Sequence, residues 1–259
     1  MSNPIMWFII FCAGLCVGSF LNVCISRVPE GLSIVSPGSR CPSCGHAIRY
    51  YDNIPLISYL LLGARCRSCR AFISPRYPAV ELLTGAMAVF VLIKYGPDIS
   101  ALIYFVFIAS LIVVTFIDID YQIIPDKISL AGIAAGLAAS PLLSQITFTE
   151  SLIGAVSGGG SLFAVAMGYY LLTGKEGMGG GDIKLLAMIG AFTGWQGVIF
   201  TVFAASATGT VIGLVLMAAA GRNMKFAVPF GPFLSLGAIA YLFFGQIVIH
   251  WYLLGIRPY

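Results

Sequence analysis

The chain has 259 residues, of which 59% are hydrophobic and 9% charged, with a mean hydropathy of +0.97. A soluble domain carries about a quarter charged residues, so this composition excludes a water-soluble globular protein and points to an all-α polytopic membrane helix bundle. The net charge of +4 needs no nucleic-acid partner, because inner membrane loops collect Lys and Arg.

A membrane-crossing helix needs roughly 20 mostly apolar residues. About eight stretches are candidates: 5–26, 78–95, 99–118, 127–143, 151–172, 183–196, 198–220 and 230–252. The sixth is short and interrupted by Gly190, Gly194 and Gly197, and a seven-span count would reverse the C-terminus. The first basic residue, Arg27, follows the first apolar run instead of preceding it, which predicts no cleaved signal and an N-terminus outside. In that orientation all 14 Lys and Arg residues except Lys94 and Arg257 fall on the inner side.

In the first span, Gly14, Gly18, Ser19 and Asn22 predict close helix approach or interhelical hydrogen bonds. Cys12, Cys16 and Cys24 on the same span read as small buried hydrophobes. Residues 27–77 form the sizeable polar segment and separate the first span, 1–26, from a multi-span domain, 78–259. They carry Cys41-Pro42-Ser43-Cys44 and Cys66-Arg67-Ser68-Cys69, the spacing of a small cytoplasmic four-thiolate zinc module. Paired disulfides are the rival, disfavoured in a reducing compartment. Four thiolates leave no open position for water, so the zinc is expected to be structural. His46 reads as a polar loop residue.

Glu81 sits just inside the second span, where a charge is costly and often functional; a pair with Arg76 is the alternative. The third span runs into Asp118, and Asp120 and Asp126 follow before the fourth. Pro125 ends helical structure, and Asp126 is placed to cap the fourth span. Asp118 and Asp120 stand about 200° apart on a helix, so both cannot face one partner. Beyond the fifth span, Gly174-Lys175-Glu176-Gly177-Met178-Gly179-Gly180-Gly181 leads to Asp182. The loop lacks the Gly-Lys-Ser/Thr ending of a phosphate loop, and Asp182 is expected at the N-terminus of the sixth span. Arg222 and Lys225 mark an inner loop, Val228-Pro229-Phe230-Gly231-Pro232 opens the last span irregularly, and His250 reads as interfacial.

Four of the ten acids, Asp118, Asp120, Asp126 and Asp182, therefore lie in two short pieces, 116–126 and 177–184, joined by two spans that return the chain to the same face. Two carboxylates brought together share a proton, so one activates water while the other polarises a carbonyl, as in aspartic proteases. Rival readings are a proton or cation pathway in a transporter, and simple caps or anchors. Transporters usually show inverted repeats, and no convincing repeat is present.

The cysteine loop, the Asp118-x-Asp120 segment closed by Ile124-Pro125-Asp126, and the Gly-Met-Gly-Gly-Gly-Asp ending at Asp182 resemble the type IV prepilin leader peptidase/N-methyltransferase family. Gly18-Ser19-Phe20-Leu21-Asn22, Arg76-Tyr77-Pro78 with Glu81, and Pro229-Phe230-Gly231-Pro232 extend the resemblance over nearly the whole chain. It implies Asp118 and Asp182 as the catalytic pair, and a Gly179, Gly180 and Gly181 loop that shapes the site. It also implies cleavage of the basic leader of prepilins or pseudopilins at the cytoplasmic face of a bacterial inner membrane, then N-methylation from S-adenosylmethionine. Family members lacking the cysteine loop are peptidases only. Asp120, Asp126 and Glu176 would draw in the basic leader. No strand–helix glycine fingerprint marks a methyl-donor site, so residues for it are left unassigned.

Overall fold

The computed structural model of the chain describes residues 4–175, 177–220 and 228–254. Glu176, Arg222, Lys225 and Arg257, and the side chain of His250, lie outside that description. Regular structure among the described residues is helical, apart from two isolated bridges. The helices are α1 (Pro4–Arg27), α2 (Ile57–Leu61), α3 (Arg76–Tyr95), α4 (Ile99–Tyr121), α5 (Asp126–Ala139), α6 (Phe148–Thr173), α7 (Gly180–Ala220) and α8 (Gly231–Leu254). Six of them, α1, α3, α4, α6, α7 and α8, are long and apolar enough to cross a membrane. The chain divides into two compact units, Met1–Val113 and Val114–Tyr259, with the boundary inside α4.

In the first unit α1 lies along α3, and small residues set the spacing. A Cβ at Gly14 would meet Ala88 Cβ at 2.8 Å, and one at Gly18 would meet the Glu81 Cα at 2.7 Å. Asn22 Nδ2 donates to the Tyr77 carbonyl at 3.1 Å. The expected close approach and interhelical hydrogen bond are therefore both present. Cys12 and Cys24 are partly exposed and Cys16 is exposed, which corrects their reading as buried.

In the second unit α6 packs on the first part of α7, and α8 on the last part. α6 approaches through glycines: a Cβ at Gly154 would strike the Gly190 carbonyl, and one at Gly158 the Leu186 carbonyl. Gly194 interrupts α7 with φ 70° and ψ −180°, a conformation essentially reserved for glycine. The chain reverses there. Gly181, at the start of α7, touches Ile124; farther on, Gly197 lies by Tyr241, Thr201 by Gly237, and Gly209 by Phe233 near the start of α8, which again touches Ile124. The second limb thus returns toward the end from which the first set out. Unbroken, 41 residues would extend about 60 Å, twice the thickness of the hydrocarbon core. The two limbs correspond to the expected stretches 183–196 and 198–220. The expected stretch 127–143 forms α5, which ends at Ala139, and a 3-10 turn over Ser140–Leu142.

Candidate functional site

α4 keeps its helical form to Tyr121, so Asp118 and Asp120 do point to opposite sides. Asp118 is 5% exposed, whereas Asp120 is exposed. Gln122, with φ 54°, ends the helix, its N–H donating to the Asp118 carbonyl at 3.0 Å. Pro125 then takes the N-cap position of α5.

The Asp118 carboxylate accepts a hydrogen bond from the Gly231 N–H at 3.0 Å, across 113 residues of chain. That amide belongs to the first turn of α8, where N–H groups have no partner inside the helix and the helix field favours an anion. A Cβ at position 231 would sit 2.6 Å from Asp118 Oδ2, so only glycine lets the carboxylate reach this amide. The irregular Pro-Phe-Gly-Pro run therefore has a definite task, which its residue types did not disclose.

Asp182 is the third residue of α7 and half-buried, with its N–H bonded to the Gly179 carbonyl at 3.2 Å. It lies within electrostatic reach of Asp118. Ile124 wedges these pieces together. A Cβ on Gly181 would meet Ile124 Cβ at 2.9 Å, and one on Gly231 would meet its Cδ1 at 3.3 Å. The buried isoleucine thus holds the starts of α7 and α8 beside the end of α4. Of the glycines expected to shape the loop, Gly181 makes this close contact, Gly179 would place a Cβ 3.9 Å from Asp182 Oδ2, and Gly180 borders open space.

Asp126 is not a cap. Pro125 occupies the N-cap position without a side-chain hydrogen bond, and Asp126 is the first residue of α5. Its carboxylate is instead gripped by Lys184 Nζ, at 2.7 and 2.8 Å. The pair is well exposed to solvent, so its contribution to stability is about 0–1 kcal/mol. Asp118, Asp126 and Asp182 stand at one end of the second unit. Asp120 lies at the same end on the outer side of α4.

The four cysteines of the first unit also come together. Each Sγ lies within 4.8 Å of the others, and the Cys41 and Cys69 sulfurs are 3.8 Å apart. A tetrahedral site with Zn–S bonds of about 2.3 Å has S···S edges of roughly 3.8 Å, whereas a disulfide needs about 2.05 Å. The two knuckles repeat one geometry. Cys41 N–H bonds the His46 carbonyl and Gly45 N–H the Cys41 carbonyl; Cys66 N–H bonds the Ala71 carbonyl and Arg70 N–H the Cys66 carbonyl. Gly45 and Arg70, at matching positions, both have positive φ. Backbone hydrogen bonds from Cys44 and then Ser43 hold the Cys41 thiol down at about 6, which favours the thiolate a metal needs. The donor set and spacing fit a zinc ion.

Glu81 is buried and accepts hydrogen bonds from the Leu56 N–H at 2.9 Å and the Ser19 hydroxyl. Leu56 has φ 60°, a strained conformation for a branched side chain. Glu81 thereby ties the loop before α2 to the α1–α3 pair.

Residues 12–95 match the Bacterial Peptidase A24 N-terminal domain and residues 105–214 the Type IV leader peptidase family. Among curated relatives are proteins named prepilin leader peptidase/N-methyltransferase from three bacteria. The Aeromonas salmonicida protein is 36% identical, covering 96% of this chain and 95% of its own. The Pseudomonas aeruginosa protein is 38% identical over 93% of this chain and 91% of its own. The Myxococcus xanthus protein is 42% identical over 85% of this chain and 66% of its own. No solved structure matches the chain.

Proposed function

The chain belongs to the type IV leader peptidase family, and from that premise we propose that Asp118 and Asp182 are the catalytic pair of a prepilin leader peptidase that also N-methylates its product. The observation that carries the reading is the buried Asp118 carboxylate, fixed by the Gly231 amide and within electrostatic reach of Asp182. Two such carboxylates share one proton. The ionised one takes a proton from water, the protonated one donates to the scissile carbonyl, and the resulting tetrahedral intermediate collapses with proton transfer to the leaving amine.

The site opens to the cytoplasmic face of the bacterial inner membrane, with the N-terminus outside. A prepilin or pseudopilin would present its basic leader there while its apolar helix stays in the bilayer. Asp120 and Asp126, with Glu176, attract the leader. Lys184 already holds Asp126, so a leader cation has to displace it, and Asp120 is exposed on the opposite side of α4 from Asp118. Asp120→Asn is expected to raise KM and leave kcat within about twofold, since it removes attraction without touching the reacting atoms.

S-adenosylmethionine would supply an electrophilic methyl group to the newly exposed terminal amine. Zinc would be held by Cys41, Cys44, Cys66 and Cys69, whose four thiolates leave it a structural role.

Purified protein is mixed with a prepilin and radiolabelled S-adenosylmethionine. Asp118→Asn and Asp182→Asn are each expected to abolish cleavage while the protein still elutes as folded material. Cleavage at the normal rate by either variant overturns the pair, and a cleaved product without label overturns the second activity.

A further inference from the structure

The cysteine module leaves an apolar stripe uncovered. Ile57, Leu60 and Leu61 recur at i, i+3 and i+4 along α2, which is one face of a helix, and they are 54%, 75% and 82% exposed. Ser58 takes the opposite side, buried, with its hydroxyl donating to the Tyr51 carbonyl and accepting from the Ile54 N–H. α2 runs directly into the second knuckle: Ala64 N–H bonds the Tyr59 carbonyl and Ile73 N–H the Ala64 carbonyl. The bridge between Arg65 and Phe72 then sets an exposed aromatic beside an exposed cation.

Charge on this module is one-sided. Residues 27–77 hold seven arginines against Glu30 and Asp52 as the only acids. Asp52 is consumed by a two-pronged pair with Arg67, with the closest contact at 2.6 Å. Arg40, Arg65 and Arg70 are exposed, and their guanidinium groups make no hydrogen bond or ion pair among the described residues. The segment leaves α1 at Arg27 and enters α3 at Arg76, both helices long and apolar enough to cross a membrane, so the module is tethered at both ends to candidate spans.

We propose that this face docks on the anionic lipid surface of the membrane in which the chain is embedded. Ile57, Leu60, Leu61 and Phe72 dip into the boundary between headgroups and acyl chains, and Arg65 and Arg70 meet lipid phosphates. An apolar stripe beside unpaired cations is the chemistry of an interfacial segment. A basic leader peptide does not fit it, because its charge has the same sign. The inference rests on the family reading only for which leaflet is involved.

The test uses the full chain in nanodiscs of phosphatidylglycerol and phosphatidylethanolamine, with the photoreactive p-benzoylphenylalanine in place of Leu61 or, as a control, of the exposed Ser43. After illumination, mass spectrometry is expected to find lipid adducts at position 61 in about tenfold excess over position 43. Exchanging phosphatidylglycerol for phosphatidylcholine, or substituting Arg65→Gln with Arg70→Gln, is expected to lower the yield at 61 severalfold, on the order expected for losing two interfacial cations. Adducts at 61 to this chain, to a second copy or to an added prepilin, with lipid no more frequent than at 43, overturn the proposal, as does a yield indifferent to anionic lipid. Zinc content of each variant reports that the module is folded. Nanodiscs expose both membrane faces, so the outcome does not depend on orientation, and Asp118→Asn is expected to lose cleavage while keeping the lipid adducts at 61.

Discussion

Asp118 and Asp120 share a residue type and a helix turn, and differ in what surrounds them. Asp118 is buried and receives the Gly231 amide, while Asp120 faces outward. A charge-assisted hydrogen bond of this kind is worth about 1.5–3 kcal/mol, enough to fix one rotamer of the carboxylate. Gly231→Ala places a methyl group 2.6 Å from Asp118 Oδ2, so the carboxylate must turn away. A displacement near 1 Å costs on the order of a hundredfold in rate. Gly231→Ala is therefore expected to lower kcat for leader cleavage by about that factor, with KM and the thermal unfolding midpoint nearly unchanged. Normal kcat would show that the amide does not position Asp118. Sequence periodicity separated the two aspartates by about 200° without saying which one faced inward. The deciding partner is a backbone N–H from 113 residues away, a group that carries no side-chain signature. Asp126 was misread for a related reason: its position before an apolar run suited a cap, but Pro125 takes that place and Lys184 takes the carboxylate.

At the scale of elements, the apolar stretches were legible because lipid-facing and protein-facing sides alike are apolar, and length alone marks them. What length does not show is where the backbone turns or touches. Gly190, Gly194 and Gly197 all read as interruptions, yet only Gly194 leaves helical geometry; Gly190 meets Gly154, and Gly197 lies against Thr193 and Tyr241. α6 offers a controlled comparison. A Cβ at Gly158 would strike the Leu186 carbonyl, which is backbone and cannot step aside, whereas one at Gly160 meets nothing within 4 Å. Gly158→Ala is expected to destabilise by about 1–3 kcal/mol through forced separation of α6 and α7. Gly160→Ala is expected to be neutral or stabilising by up to about 1 kcal/mol, from helix propensity alone. Thermal unfolding in one detergent compares the two directly, and equal shifts would show that the helix contact is not tight.

At the scale of the molecule, the proposed chemistry is divided between the two units. Both aspartates of the proposed pair lie in Val114–Tyr259, within the region matching the Type IV leader peptidase family, and all four cysteines lie in Met1–Val113, within the region matching the N-terminal domain. The bonds that fix Asp118 come from α8 and the turn after α4. The knuckles, by contrast, have little core of their own: among the cysteines only Cys41 is buried, and the side chains around them are largely exposed. A module so built would depend on the proposed zinc ion for folding free energy. The resemblance implies that family members without this loop cleave and do not methylate, and on that ground the module's proposed role is in methyl transfer. Cys66→Ser breaks the tetrahedral set while leaving every residue of the second unit in place. It is expected to remove bound zinc and lower methylation at least tenfold, while single-turnover cleavage of the prepilin stays within about threefold. The measurement is a parallel time course of cleaved and labelled product from one reaction. A fall of both products together would mean that the metal supports the whole molecule, and that the two units do not act separately.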